Sequence, residues 1–90
     1  MNPTIITDID HLKALAGAEG GHECFIMLAG GAARSSKRIN YWSHDDTWWM
    51  LNEIDDSDCD YNTTEEMLTA TNVGEALEKG ALYSYNWETS

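Results

Sequence analysis

The sequence predicts an α+β fold: a small antiparallel sheet of about four strands with two or three short helices, in the order α-β-β-β-α-α-β. Three observations carry this. Aromatic and β-branched runs recur between short polar turns, capping residues precede the helical stretches, and the chain ends on a clear period of two in "ALYSYNW". At 90 residues the chain has room for one small core, so residues 1–90 are expected to form a single compact domain. Its 42% hydrophobic content, nine aromatics and single proline are those of a folded globule and not of an acidic disordered tail.

The first element is a helix in "TDIDHLKALAG". Thr7 is the expected N-cap with Asp10 at the third helical position, Ile9, Leu12, Leu15 and Ala16 fall on one stripe, and Gly17 stops it. After the glycine-rich "GAEGGHE", the apolar "CFIMLA" is expected as a buried central strand bounded by Gly30 and Gly31. "KRINYW" and "TWWMLNEI" predict a hairpin across the polar turn "SHDD". Alternation places Trp48, Met50, Asn52 and Ile54 on one side and Trp49, Leu51 and Glu53 on the other, so only one of the adjacent tryptophans points into a one-sided core.

Thr63 with Glu66, and Asn72 with Glu75, have capping-box spacing before "EEMLTA" and "VGEALEKG", and Gly80 supplies a stop signal. The final strand has Tyr83, Tyr85 and Trp87 on one face and Leu82, Ser84 and Asn86 on the other.

Charge is distributed unevenly. Residues 1–38 balance Asp8, Asp10, Glu19 and Glu23 against Lys13, Arg34, Lys37 and Arg38, and residues 79–90 balance Lys79 against Glu88. The net charge of -11 therefore lies wholly within residues 39–78, which contain no Lys or Arg. Its densest part, "NEIDDSDCDYNTTEE", has seven carboxylates in fifteen residues. Such a surface repels nucleic acid and anionic membranes and attracts basic surfaces. The N-terminus has neither a basic region nor a long apolar run, and no segment approaches the ~20 apolar residues of a membrane span. A cytoplasmic location is expected, with Cys24 and Cys59 as free thiols.

Three readings of the acidic segment compete. Asp56, Asp58 and Asp60 match the first ligand positions of a calcium-binding EF-hand loop, but Tyr61 stands where glycine is required and Met67 where the closing Glu belongs. Nucleic-acid mimicry demands only charge density and a scaffold. Asp45, Asp46, Glu53, Asp55, Asp56, Asp58, Asp60, Glu65 and Glu66 would form the field, with Trp49 as an aromatic anchor. If residues 55–60 are extended, Asp56, Asp58 and Asp60 share one side. The third reading is a solvated acidic surface that aids solubility.

Other motifs are weaker. "GGAARSSKR" has glycines, hydroxyls and cations, yet lacks phosphate-loop spacing, and a hairpin connection accounts for it. A small enzyme or an anion- or nucleotide-binding domain using Gly30 to Lys37 is the alternative. His22, Cys24, His44 and Cys59 would need to be gathered by folding to hold zinc. No nucleophile and base, and no pair of contrasting carboxylates, is spaced for catalysis. The expectation is a non-enzymatic protein without cofactor or metal.

The blocks "CFIMLAGGAARSSKRI", "NEIDD" and "TNVGEALEKGALYSY", spanning most of residues 24–85, resemble a group of small acidic proteins carried by bacteriophages and other mobile elements. The resemblance implies an accessory protein of a mobile element, a class in which anti-CRISPR inhibitors are common. It implies a protein partner with a basic nucleic-acid-binding surface, such as a CRISPR effector, and transfers no catalytic residue.

Overall fold

The computed structural model describes residues 4–27 and 34–85. Its elements run β1 (Thr4–Ile5), α1 (Ile9–Ala16), β2 (His22–Met27), β3 (Arg34–Trp42), β4 (Thr47–Asn52), β5 (Ser57–Tyr61), α2 (Thr64–Ala70), α3 (Val73–Lys79) and β6 (Leu82–Ser84). The fold is α+β, and all six strands join one antiparallel sheet in the order β1-β6-β2-β3-β4-β5. The last strand is thus inserted between the first two.

The expectation of about four strands is corrected by β1 and β5. β1 has two residues, too short for any period to show. β5 is "SDCDY", an edge strand whose first four residues are exposed, so no hydrophobic alternation marks it. A strand therefore occupies part of the acidic segment, where the expected element order has none.

All three helices cover one face of the sheet. Register aligns Tyr41, Trp48 and Tyr61 across β3, β4 and β5, and aligns Ile39 with Met50 and Cys59. Ile39, Trp48 and Met50 meet Leu12 and Ala16 of α1, Met67 of α2 and Val73 and Ala76 of α3 in one core cluster, with Tyr41 and Tyr61 packed against it. Trp48 is fully enclosed, and its indole Nε1 donates to Thr64 Oγ1 at 3.0 Å, satisfying the one polar group that burial would otherwise strand. Trp49, one residue on, lies on the opposite face, as alternation requires.

The helix ends differ in detail from the expected caps. Asp8, not Thr7, caps α1, its carboxylate accepting from the His11 amide at 2.8 Å; two adjacent cap-competent residues leave the choice to backbone geometry. Thr63 caps α2 by accepting from the Glu66 amide at 3.0 Å, while Glu66 reaches back to the Asn62 amide. Asn72 precedes α3 without making any side-chain cap bond, so its capping box is not formed. Gly80 ends α3 in the left-handed conformation.

Candidate functional site: the acidic edge and the helix-free face

The face opposite the helices presents Arg38, Asn40 and Trp42 of β3, Trp49 and Leu51 of β4, and Asp58 and Asp60 of β5. On its β2–β6 side Phe25 stacks on Tyr83 with centroids 5.2 Å apart and packs at 4.6 Å against Tyr85. Arg38 donates to Glu23 and to the Gly20 carbonyl, so its charge is neutralised locally and not by residues 39–78. Trp42 is 43% exposed and Trp49 half-buried. The aromatic surplus is thus shared between the faces, while Trp87 and Asn86 lie outside the described residues.

The acidic residues have distinct roles. Two four-residue turns, 43–46 and 53–56, end on Asp46 (φ 58°) and Asp56 (φ 61°), both in the left-handed region that aspartate tolerates better than most side chains. Each turn also uses the preceding aspartate in the same way. Asp45 Oδ1 accepts from Thr47 Oγ1 at 2.7 Å, and Asp55 Oδ1 accepts from Ser57 Oγ at 2.6 Å and from the Ser57 amide at 3.1 Å. "DDT" and "DDS" are therefore one local device used twice. The Ser57 hydroxyl and amide hold the Asp55 carboxyl below its usual range.

Asp46 ties the hairpin to α2: it accepts from the Thr64 amide at 3.0 Å, from Thr64 Oγ1 at 2.5 Å and from the Tyr41 hydroxyl at 3.0 Å. The Thr64 contacts foremost lower its pKa. Asp46 is therefore committed internally and is not a free member of the expected field.

Asp58 and Asp60 share the helix-free face, as the extended reading of that segment expects, whereas Asp56 sits in the turn and does not join them. Asp58 Oδ2 accepts from Trp49 Nε1 at 3.0 Å. Glu53, Asp60 and Glu65 make no side-chain hydrogen bond among the described residues, and Glu66 is occupied by its cap. What remains is an exposed acidic band running from Glu53, Asp55 and Asp56 at one end of β5, through Asp58 and Asp60, to Asp45, Glu65 and Glu66 at the other.

The EF-hand pattern meets a strand where a coordinating loop would have to curl. Among the described residues no group of three His, Cys, Asp or Glu side chains converges on a common point. His22 and Cys24 lie on β2 and Cys59 on β5, three strand spacings or roughly 14 Å away; His44 is in the β3–β4 turn, and His22 Nε2 engages Ser84 Oγ instead. Gly30 and Gly31 lie outside the described residues. Ser36 belongs to β3, not to a loop, and Lys37 lies in the same strand, as the reading of "KRINYW" expects.

Sequence reasoning missed one residue here. Lys37 is only 7% exposed and faces the helices, between Cys24 on β2 and Asn52 on β4. The signal was its parity with Ile39 and Tyr41, which places all three on one side of the strand. Comparison of the chain with protein-family models, with curated proteins and with solved structures finds no match.

Proposed function

We propose that the protein is a noncatalytic inhibitor whose acidic β5 edge and adjoining aromatic face dock on a basic surface of a host nucleic-acid-handling complex. The carrying observation is the joining of charge to apolar surface: Asp58 and Asp60 stand on the same face as Trp49 and Leu51, with no cation in residues 39–78 to neutralise them. Arg- and Lys-lined grooves that grip phosphates make weak geometric demands, so a carboxylate band can occupy them. A half-buried tryptophan beside that band provides the anchor that charge alone lacks. The resemblance to acidic mobile-element proteins favours a CRISPR effector as the partner and the host cytoplasm as the place of action. Among the described residues no helix is long and apolar enough to cross a membrane.

The charges also protect an edge strand from pairing with other chains. That role alone predicts no partner. To separate the two, the immobilised protein is exposed to nuclease-treated bacterial lysate, and purified CRISPR effector complexes are then tested for target-DNA binding in its presence. A one-to-one complex that competes with DNA supports the proposal. No complex with any basic nucleoprotein, and unchanged DNA binding, would leave the acids as edge protection.

A further inference from the structure

The sheet has two outer edges, β1 and β5. β1 is two residues long, whereas β5 offers five, Ser57–Tyr61, the first four of them exposed. Which of its backbone groups are free follows from the hydrogen bonds of β4. In an antiparallel sheet successive residues turn their amide and carbonyl groups to alternate neighbours. The Glu53 amide donates to the Ser36 carbonyl at 3.0 Å, so Glu53, Leu51 and Trp49 bond to β3, and Asn52, Met50 and Trp48 turn to β5. The Asn52 carbonyl, which accepts from the Asp56 amide at 2.8 Å, points the same way. Register then pairs Ser57, Cys59 and Tyr61 with β4 and leaves the amides and carbonyls of Asp58 and Asp60 on the open side. Among the described residues only the Cys59 thiol reaches any of these groups, 3.7 Å from the Asp60 carbonyl.

The residues with free backbone groups, Asp58 and Asp60, are also those whose carboxylates stand on the helix-free face, roughly 7 Å apart along the strand. An incoming strand therefore meets an unused ladder of amides and carbonyls, and its side chains opposite Asp58 and Asp60 meet carboxylates. A second copy of β5 would set aspartates against aspartates, which like-charge repulsion disfavours. A segment carrying Lys or Arg at every second position would put a cation beside each carboxylate. Its intervening side chains fall on the helix side of the sheet, where Cys59, Tyr61, Ala70 and Thr71 border a cleft of about 400 Å³.

We infer that β5 accepts an extended segment of its partner as an added strand, and that this segment alternates basic residues with apolar or β-branched ones. The inference rests on the reading of the acidic edge as a docking surface and gives its occupant a form. Main-chain hydrogen bonds to Asp58 and Asp60 hold the segment, and the side chains of the same two residues select its charge. The charges that keep β5 from pairing with its own copies thus admit a basic strand.

Isotope-labelled protein is titrated with the peptide Thr-Lys-Val-Lys-Val-Lys-Thr, blocked at both ends, and amide hydrogen exchange is read residue by residue. In the free protein the Asp58 and Asp60 amides should exchange fast and those of Cys59 and Tyr61 slowly; slow exchange at Asp58 and Asp60 without peptide would overturn the open edge. With peptide at about ten times its dissociation constant, exchange at Asp58 and Asp60 should slow roughly tenfold, in step with the bound fraction. Thr-Val-Lys-Lys-Lys-Val-Thr, of equal composition without the alternation, should bind more weakly, and Thr-Glu-Val-Glu-Val-Glu-Thr should not bind. Asp58→Lys with Asp60→Lys should reverse the preference between the lysine and glutamate peptides; the wild-type exchange decides without that variant. Fast exchange at both amides throughout the titration would overturn strand addition, and capture of a host complex by the same protein would then leave charge-driven docking standing. A dimer that protects both amides in the absence of peptide would overturn the basic occupant in favour of a second copy. Because the probe is a defined peptide, protection of Asp58 and Asp60 supports strand addition whether or not a host complex is captured.

Discussion

Trp49 donates its indole Nε1 hydrogen to Asp58 Oδ2 at 3.0 Å, a diagonal contact between neighbouring strands on the helix-free face. The bond holds the ring against β5, and Asp58 Oδ1 makes no hydrogen bond among the described residues. It joins an aromatic side chain to the charged edge. Trp49→Ala should weaken partner binding by about 2 kcal/mol or more, the scale of an interface hot spot. The slope of affinity against salt should stay as in wild type, because every carboxylate remains; titration calorimetry at two ionic strengths reads both quantities.

Acid stability should depend on Asp46. Hydrogen bonds from Thr64 and Tyr41 lower its folded pKa from the ordinary 3.8. With the unfolded value the higher of the two, the unfolded state binds the proton more readily, so the stabilisation is full above pH 3.8 and is lost as the pH falls below it toward the folded value. Asp46→Ala should lower the thermal midpoint at neutral pH and flatten its decline in acid. Parallel acid limbs in the two proteins would show that the contact carries no linkage.

The two cysteines should differ in reactivity. Cys24 is buried, with a thiol pKa pushed up to about 12, whereas Cys59 is exposed. At neutral pH iodoacetamide should modify Cys59 in the native protein and reach Cys24 only on unfolding. Mass spectrometry of a time course distinguishes one fast adduct from two.

Capping offers an internal comparison. Thr63→Ala removes the acceptor for the Glu66 amide and should cost about 1 kcal/mol, whereas Asn72→Ala removes no cap bond and should be nearly neutral. Denaturant midpoints of the two variants check the difference. A similar pair lies before β2. Gly20 and Gly21 both have positive φ, but a Cβ at Gly21 would stand 2.7 Å from the Ile39 carbonyl and one at Gly20 would meet nothing within 4 Å. Gly20→Ala should cost about 1–2 kcal/mol for the left-handed backbone, and Gly21→Ala more.

Legibility in the sequence followed burial. The β3–β4 hairpin, β6 and the stripe of α1 were readable because one face of each is pressed into the core, which forces a period on the sequence, and β2 because Cys24, Phe25 and Ile26 are all buried, which leaves an unbroken apolar run. β5 was not readable, since Asp58, Asp60, Ser57 and Cys59 are all exposed and an edge strand is shaped by the need to avoid pairing as much as by packing. The acidic field was visible as composition, but composition could not separate Asp46 and Asp55, engaged in local hydrogen bonds, from Asp60 and Glu65, which face solvent. The repeated Asp-Asp before Thr47 and before Ser57 was a readable turn signal. Lys37 was expected at the start of the strand "KRINYW", but its burial went unread because a lysine is ordinarily placed in solvent.

The most direct measurement concerns charge without the turn devices. Glu53→Gln, Asp58→Asn, Asp60→Asn and Glu65→Gln together spare Asp45, Asp46, Asp55 and Asp56, and the asparagine that replaces Asp58 can still accept from Trp49 through its amide oxygen. Affinity for the captured effector is measured for wild type and the fourfold variant at two ionic strengths. Weaker binding by the variant and a shallower salt slope are expected, as when phosphate contacts are removed from a protein–DNA complex. Equal affinity and equal slope at low salt would contradict it, and the acidic band would then be a solvated edge.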